Sequence, residues 1–247
     1  MRLLFFDARV WRYVISAIGK IIEEGVFVVN NEGLRLKAMD PSHVVLIDFH
    51  VPNTAFDVFE VEKEEKIGVN FEDIARIMRR ATKEDQLELA TEGSKFSISF
   101  IGKSIRRFVL PQLTLSVEEI PDIEAKLEFK AHIRMMSDVF NDLVKDLEPV
   151  GKDLALYAKE DKFVAQASSD IAEAEIEMNV EGGSLLELNV EEESRAGYSL
   201  DYFSDIAGAS KAADTVSIHF STDMPCKIEF ELPQGARLRF YVAPRVE

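Results

Sequence analysis

The groups that could do covalent or metal chemistry in this chain are one cysteine, four histidines and 45 Asp+Glu. His43, His50, His132 and His219 have no partner at metal-ligand or triad spacing. There is no glycine-rich phosphate loop and no G-x-S-x-G elbow. Acids are frequent enough that some pair always looks fit for acid/base work, and solvated surface carboxylates account for them. Cys226 reads as a small buried hydrophobe. No catalytic residue, metal or cofactor is expected. The spacing that stands out belongs to cations. In IARIMRRATK (Ile74–Lys83), Arg76, Arg79, Arg80 and Lys83 fall at i, i+3, i+4 and i+7, with no acid in the stretch. On a helix these four share one face, and Ile74, Ile77, Met78 and Ala81 share the other. A guanidinium stripe of this kind can hold phosphates by charge; a merely solvated charged face would give the same pattern.

The stripe is unexpected in a chain with 29 Lys+Arg against 45 Asp+Glu and a net charge of −16. The charge is uneven: residues 1–116 carry a net −1 and residues 117–247 a net −15. So acidic a surface repels phosphate as a whole, so any contact with nucleic acid requires the positive charge on one face. Hydrophobic residues at 47% and charged residues at 30% describe a soluble globular chain. No apolar run is long enough for a bilayer, and MRLLFFDARVW lacks a signal-peptide pattern. A single cysteine allows no intrachain disulfide and fits a reducing, intracellular setting.

The elements that must position these residues repeat. At an offset of 129, EGLRLKAMDPSHVVLIDFHV (Glu32–Val51) lies over DKFVAQASSDIAEAEIEMNV (Asp161–Val180), both strand-turn-strand. IGVNFEDIARIMRRATKEDQLEL (Ile67–Leu89) lies over AGYSLDYFSDIAGASKAADTVSI (Ala196–Ile218), both strand-helix-strand. RRFVLP (Arg106–Pro111) matches RFYVAP (Arg239–Pro244) after a four-residue shift. Helices are expected at about 8–24, 71–82, 134–148 and 200–212, with strands filling most of the rest. Arg9, Arg12 and Lys20 lie on the polar side of the first helix. The second half weakens the basic theme, setting Lys145 beside Asp138 and Asp142, and Lys211 beside Asp205. The acidic stretch Leu113–Glu128 reads as a linker between an N-terminal domain (1–112) and a C-terminal domain (129–247).

LKAMDPSHVVL (Leu36–Leu46), the linker sequence EEIPDIE, and RFYVAPRVE (Arg239–Glu247) together resemble the DNA sliding clamp, the proliferating cell nuclear antigen family, in its archaeal form. The resemblance runs the length of the chain. It implies an α+β fold of two similar domains, each with two helices packed on antiparallel sheets, assembled as a closed ring of three subunits. Helices would line the hole and sheets form the outer wall. The implied function is a non-enzymatic processivity factor that encircles duplex DNA without reading sequence and docks replication and repair proteins. Its implied partners are a clamp loader, polymerase, nuclease and ligase, bound through short peptide motifs, inside the cell where the DNA is. Arg12, Arg76, Arg79 and Lys145 match basic hole-lining positions; helical spacing adds Arg80 and Lys83, and Arg9, Lys20 and Lys211 join them as DNA-facing candidates.

The resemblance also implies a partner groove lined by Met39, His43, Val44, Leu46, Pro225, Tyr241, Ala243, Pro244 and Val246, with Ile120 and Ile123 from the linker. His43 would be a wall there, not a metal ligand. The subunit edges it implies match Lys103–Leu110 and Ala172–Val180. The first offers Lys103, Arg106 and Arg107, the second Glu173, Glu175 and Glu177, so opposite charges would meet. The alternatives are a specialised subunit of a heterotrimeric ring, or an oligomeric scaffold that never meets DNA.

Overall fold

The structure, a computed structural model, describes residues 1–117, 120 and 122–245. The first half runs β1 (Arg2–Phe5), α1 (Ala8–Ile21), β2 (Glu24–Asn30), β3 (Gly33–Met39), β4 (Val45–Pro52), β5 (Val58–Glu60), β6 (Glu65–Asn70), α2 (Phe71–Met78), β7 (Gln86–Glu92), β8 (Lys95–Ile101) and β9 (Ile105–Pro111). The second repeats the order: β10 (Ala131–Met136), α3 (Ser137–Leu147), β11 (Asp153–Ala158), β12 (Phe163–Ser168), β13 (Glu173–Met178), β14 (Glu187–Val190), β15 (Ser194–Ser199), α4 (Leu200–Ala207), β16 (Thr215–Phe220), β17 (Cys226–Glu231) and β18 (Arg237–Val242). The offset of 129 holds for the starts of α1 and α3, β2 and β11, β6 and β15, and α2 and α4.

Four helix boundaries differ from the sequence expectation; one is that of α4, which ends at Ala207 and passes into a 3-10 turn over Gly208–Ala212. α1 ends at Ile21, because Glu24 already begins β2, paired with β6. Residues 134–136 are strand: β10 alternates buried Ile133 and Met135 with outward Arg134 and Met136, and β16 supplies its hydrogen bonds. α2 stops at Met78; beyond it the turn tightens, with Arg80 N–H donating to Ile77 O at 2.9 Å and Ala81 N–H to Met78 O at 3.0 Å. Asn70 caps its other end, accepting from Asp73 N–H at 3.0 Å.

The strands form sheets ordered β5-β1-β7-β8-β9, β14-β10-β16-β17-β18-β4-β3-β2-β6, and β13-β12-β11-β15. The nine-stranded sheet crosses from one half to the other where β18 pairs with β4, from Arg237↔His50 to Val242↔Val45. β9 and β13 are among the edge strands of the three sheets. The ladders also correct the tail alignment. Leu87↔Phe100 and Phe100↔Arg106 correspond to Val216↔Phe230 and Phe230↔Leu238, so Arg106 is the counterpart of Leu238, not of Arg239. A one-residue slip matters, because it would exchange the two faces of the strand.

α1 packs on α2, on α4 and on the 3-10 turn Gly208–Ala212, and α3 packs on α4, so the helices form one layer across both halves. Trp11 anchors α1 to the sheet, its ring 5.3 Å from Phe49 and 6.4 Å from Phe27. Phe140 does the same for α3 against Phe230 at 6.0 Å.

Candidate nucleic-acid interface and partner groove

The helix layer carries the predicted cations in two conditions. Some are held by their own chain. Arg9 folds back on its cap Asp7 at 2.8 Å, Arg76 pairs with Asp73, and Lys20 reaches Asp205 at 3.4 Å across the halves. Arg12 donates to Ala81 O at 3.4 Å; it and Lys211 each lie 5.8 Å from the Tyr13 ring. Arg79, Arg80, Lys83 and Lys145 are exposed and make no ion pair among the described residues. Arg79, Arg80 and Lys83 leave the helix for the turn after it, so the expected four-residue helical stripe does not exist as such. The turn is pinned from behind: Arg106 donates to Arg80 O at 3.1 Å and to Asp85, only 4% exposed, at 2.5 Å. The same face of the second half exposes Asp138, Asp142 and Asp146 on α3 and Asp201 on α4.

On the opposite sheet face, Met39, Leu46, Tyr241 and Lys227 stand in one row across β3, β4, β18 and β17. Leu46 and Tyr241 are nearly covered, at 2% and 4% exposed. Met39, Val44, Ile120, Ile123, Pro225, Ala243 and Pro244 are half-buried or at the rim, and His43 is exposed. Val246 lies outside the described residues. Val44 O accepts from Ala243 N–H at 2.8 Å, which joins the β3–β4 loop to the tail.

Sequence reasoning missed how the linker is held. Glu124, opening a 3-10 turn, meets Lys227 at 2.8 Å and Arg239 at 3.2 Å, and Lys37 donates to Ile120 O at 3.2 Å. Burial opposes charge on Glu124, but the bond and charge of Lys227, the charge of Arg239 and the Tyr241 hydroxyl together outweigh it and hold the carboxyl below its usual range. The only signal in the sequence was charge: an acidic linker facing cations at alternate strand positions. A second groove, about 490 Å³, opens beyond Met39 between β2, β3 and residues 115–117.

The chain leaves each half by the same route. Leu113 N–H donates to Gly68 O on β6 at 2.8 Å, and Arg245 N–H donates to Gly197 O on β15 at 2.8 Å. At the edges, β9 exposes Ile105 (69%) and Val109 (52%), and Ile171 before β13 is 96% exposed. Of the predicted interface charges, Arg106 points inward to Asp85, Lys103 pairs with Glu84 at 3.1 Å, and Arg107 reaches Ser99 at 3.4 Å. Glu173, Glu175 and Glu177 face outward; Glu175 holds Gln166, and Glu177 holds Lys162 at 2.7 Å.

Among the described residues, no three His, Cys, Asp or Glu side chains gather as metal ligands. His132 and His219 touch through their Nδ1 atoms at 2.7 Å, with His132 Nε2 3.1 Å from Phe129 O. Since a carbonyl only accepts, His132 carries its proton on Nε2 and accepts from His219 Nδ1–H. Burial pushes the Cys226 thiol up, which leaves it unreactive. Among the described residues, no helix is long and apolar enough to cross a membrane.

Two family models cover this doubled chain: proliferating cell nuclear antigen, N-terminal domain, over residues 1–120, and its C-terminal domain over 119–245. The chain belongs to the proliferating cell nuclear antigen family. It is 43% identical to DNA polymerase sliding clamp 3 of Aeropyrum pernix, over 100% of this chain and 98% of that protein. It is 35% identical to the DNA polymerase sliding clamp of Thermococcus gammatolerans, over 99% and 98%. Among solved structures, a chain of the PCNA2-PCNA3 complex from Sulfolobus tokodaii superposes with a TM-score of 0.94 at 32% identity, covering 100% of both chains. PCNA of Thermococcus kodakaraensis gives 0.91 at 27%, covering 99% of both. The chain is thus a sliding clamp of the archaeal type in its family, its fold and the order of its parts.

Proposed function

We propose that this chain closes a ring of three subunits around duplex DNA and slides on it as a polymerase processivity factor, inside the cell. One observation carries the ring: the joint between the halves is a template for a joint between subunits. Leu36↔Phe49 corresponds to Ala165↔Ile176, which makes Asp48 the counterpart of Glu175. With Arg106 as the counterpart of Leu238, repeating the β18–β4 register between β9 of one copy and β13 of the next sets Arg107 opposite Glu175. Phe108 then faces Ala174 and Arg106 faces Ile176. Repetition would cover the β9 and β13 edges and the exposed Ile105 and Val109.

With the helix layer inward, the turn after α2 and Lys145 would meet phosphates by charge alone. The acidic outer wall would keep DNA from adhering elsewhere. On that wall, the row from Met39 to Tyr241 beside the linker suits the aromatic anchor of a short peptide from a polymerase, nuclease, ligase or clamp loader. Domain limits of 1–112 and 129–247, with a connecting segment between, fit the exit of the chain at Leu113.

The test is the solution mass of the chain by light scattering, with retention on closed circular against linear DNA. A mass near three chains and retention only on the circle support the proposal. Binding to neither form would leave an oligomeric scaffold. A second reading has its own observation: the acids on α3 and α4 thin the positive lining. A monomer or dimer that forms a ring only with other clamp chains would make this one subunit of a mixed ring.

A further inference from the structure

The loop Asp40–Val44 is closed around one carboxylate. Asp40 is 3% exposed. Its Oδ1 accepts from the N–H of Val44 at 2.7 Å and of Val45 at 2.6 Å; its Oδ2 accepts from Ser42 N–H at 3.1 Å and from the Ser42 hydroxyl. These bonds hold His43 at φ 60, a conformation that costs a residue with a side chain some free energy. One more donor comes from the other half of the chain. The hydroxyl of Tyr202, on α4, lies 3.0 Å from Asp40 Oδ2 and 2.7 Å from Ser42 Oγ. Burial opposes charge on Asp40, but the donors outweigh it and keep the carboxyl below its usual range, so Tyr202 donates to a charged acceptor.

The residue types of this tie are not repeated at the corresponding positions of the chain. At the offset of 129, Tyr202 corresponds to Asp73, which pairs with Arg76 on its own helix. Asp40 corresponds to Ser169, whose turn is closed by its own backbone bond to Ala172 O at 2.9 Å. Because the tie spans the two halves, its counterpart in the proposed ring would lie across a subunit joint, where Asp73 and Ser169 stand in place of Tyr202 and Asp40. The tyrosine–carboxylate pair stands where the loop supplies His43 and Val44 to the partner groove.

We propose that Tyr202 is a positioning residue for that groove: from the helix layer, its hydroxyl sets the shape of the loop that walls it. The inference rests on the groove reading above for its functional meaning, but not for its structural test.

The experiment uses the full chain with Tyr202→Phe and, separately, Ser42→Ala, which cuts the loop side of the same triangle without touching α4. Hydrogen exchange at the Val44 and Val45 amides, and binding of a labelled peptide with a paired-phenylalanine anchor, are measured beside solution mass and Tm. Each variant is expected to raise exchange at Val44 and Val45 about tenfold and weaken the peptide about fivefold, with mass and the exchange of β16 and β17 unchanged. The double variant should add little to either single one, a non-additivity that general loosening would not produce. Unchanged exchange at Val44 and Val45 in both variants overturns the proposal, as does fully additive loosening. If the native chain fails to bind the peptide, the groove reading falls, while the exchange measurement still decides Tyr202.

Discussion

Arg239 on β18 stands directly opposite Asp48 on β4, in the middle of the strand pair that joins the two halves. Each is held by a further partner, Asp48 by Arg35 at 2.7 Å and Arg239 by Glu229 and Glu124. The joint is therefore a ladder of alternating charges on the outer face with Leu238, Phe240 and Val242 packed against Phe49, Ile47 and Val45 beneath it. The proposed subunit joint copies the position with Arg107 and Glu175, but with smaller apolar partners, which makes it the weaker of the two.

A charge swap tests that joint. Arg107→Glu or Glu175→Arg alone should weaken the ring by about 1–2 kcal/mol per joint, seen as dissociation at higher protein concentration in light scattering. The two together should restore it. A double variant as weak as either single one would show that the register is wrong.

Removing cations from the turn after α2 should be felt by every DNA sequence alike. Replacing Arg79, Arg80 and Lys83 by Ala should lower the slope of log K against log salt by about 0.9 for each phosphate left without its cation. Arg9→Ala should change it little, because Arg9 is already paired with Asp7. Fluorescence anisotropy across a salt series reads both.

The two glycines that receive the chain exits should differ. A Cβ on Gly68 would stand 2.2 Å from Leu113 O, whereas on Gly197 the nearest atom, Leu154 O, is 3.9 Å away. Gly68→Ala should cost about 1–3 kcal/mol and raise hydrogen exchange in the connecting segment. Gly197→Ala should stay within about 1 kcal/mol in a denaturant melt.

Acid should expose the histidine pair. Burial, with Lys227 nearby, pushes His219 down to about 3. Unfolded, it binds a proton near its ordinary 6.5, so below that pH the unfolded chain holds more protons than the folded one. Stability is therefore unaffected by this group above about pH 6.5 and falls by up to about 1.4 kcal/mol per pH unit as pH drops toward about 3. His219→Leu should flatten that part of the Tm-against-pH curve between about pH 6.5 and 4.5; an unaltered slope would assign the acid loss to other groups.

The duplication and the presence of the helices were legible in the amino-acid sequence because they rest on local patterns. Periods of 2 and 3.6 mark faces, and an offset of 129 survives low identity because the order of elements does. The order of motifs also marked the family. Where helices stop was not local: residues 134–136 are strand because β16 pairs with them, and α2 ends at Met78 although its basic pattern continues. Partnership was not local either. Whether an arginine meets solvent, as Arg80 does, or an inward Asp85, as Arg106 does, depends on which strand lies behind it. Tertiary structure alone decided the β18–β4 register, the hold of Glu124 on Lys227, and the bond from Tyr202 to Asp40, 162 residues away. Contacts over such separations are set by how sheets and helices pack, which no pattern within a single segment encodes.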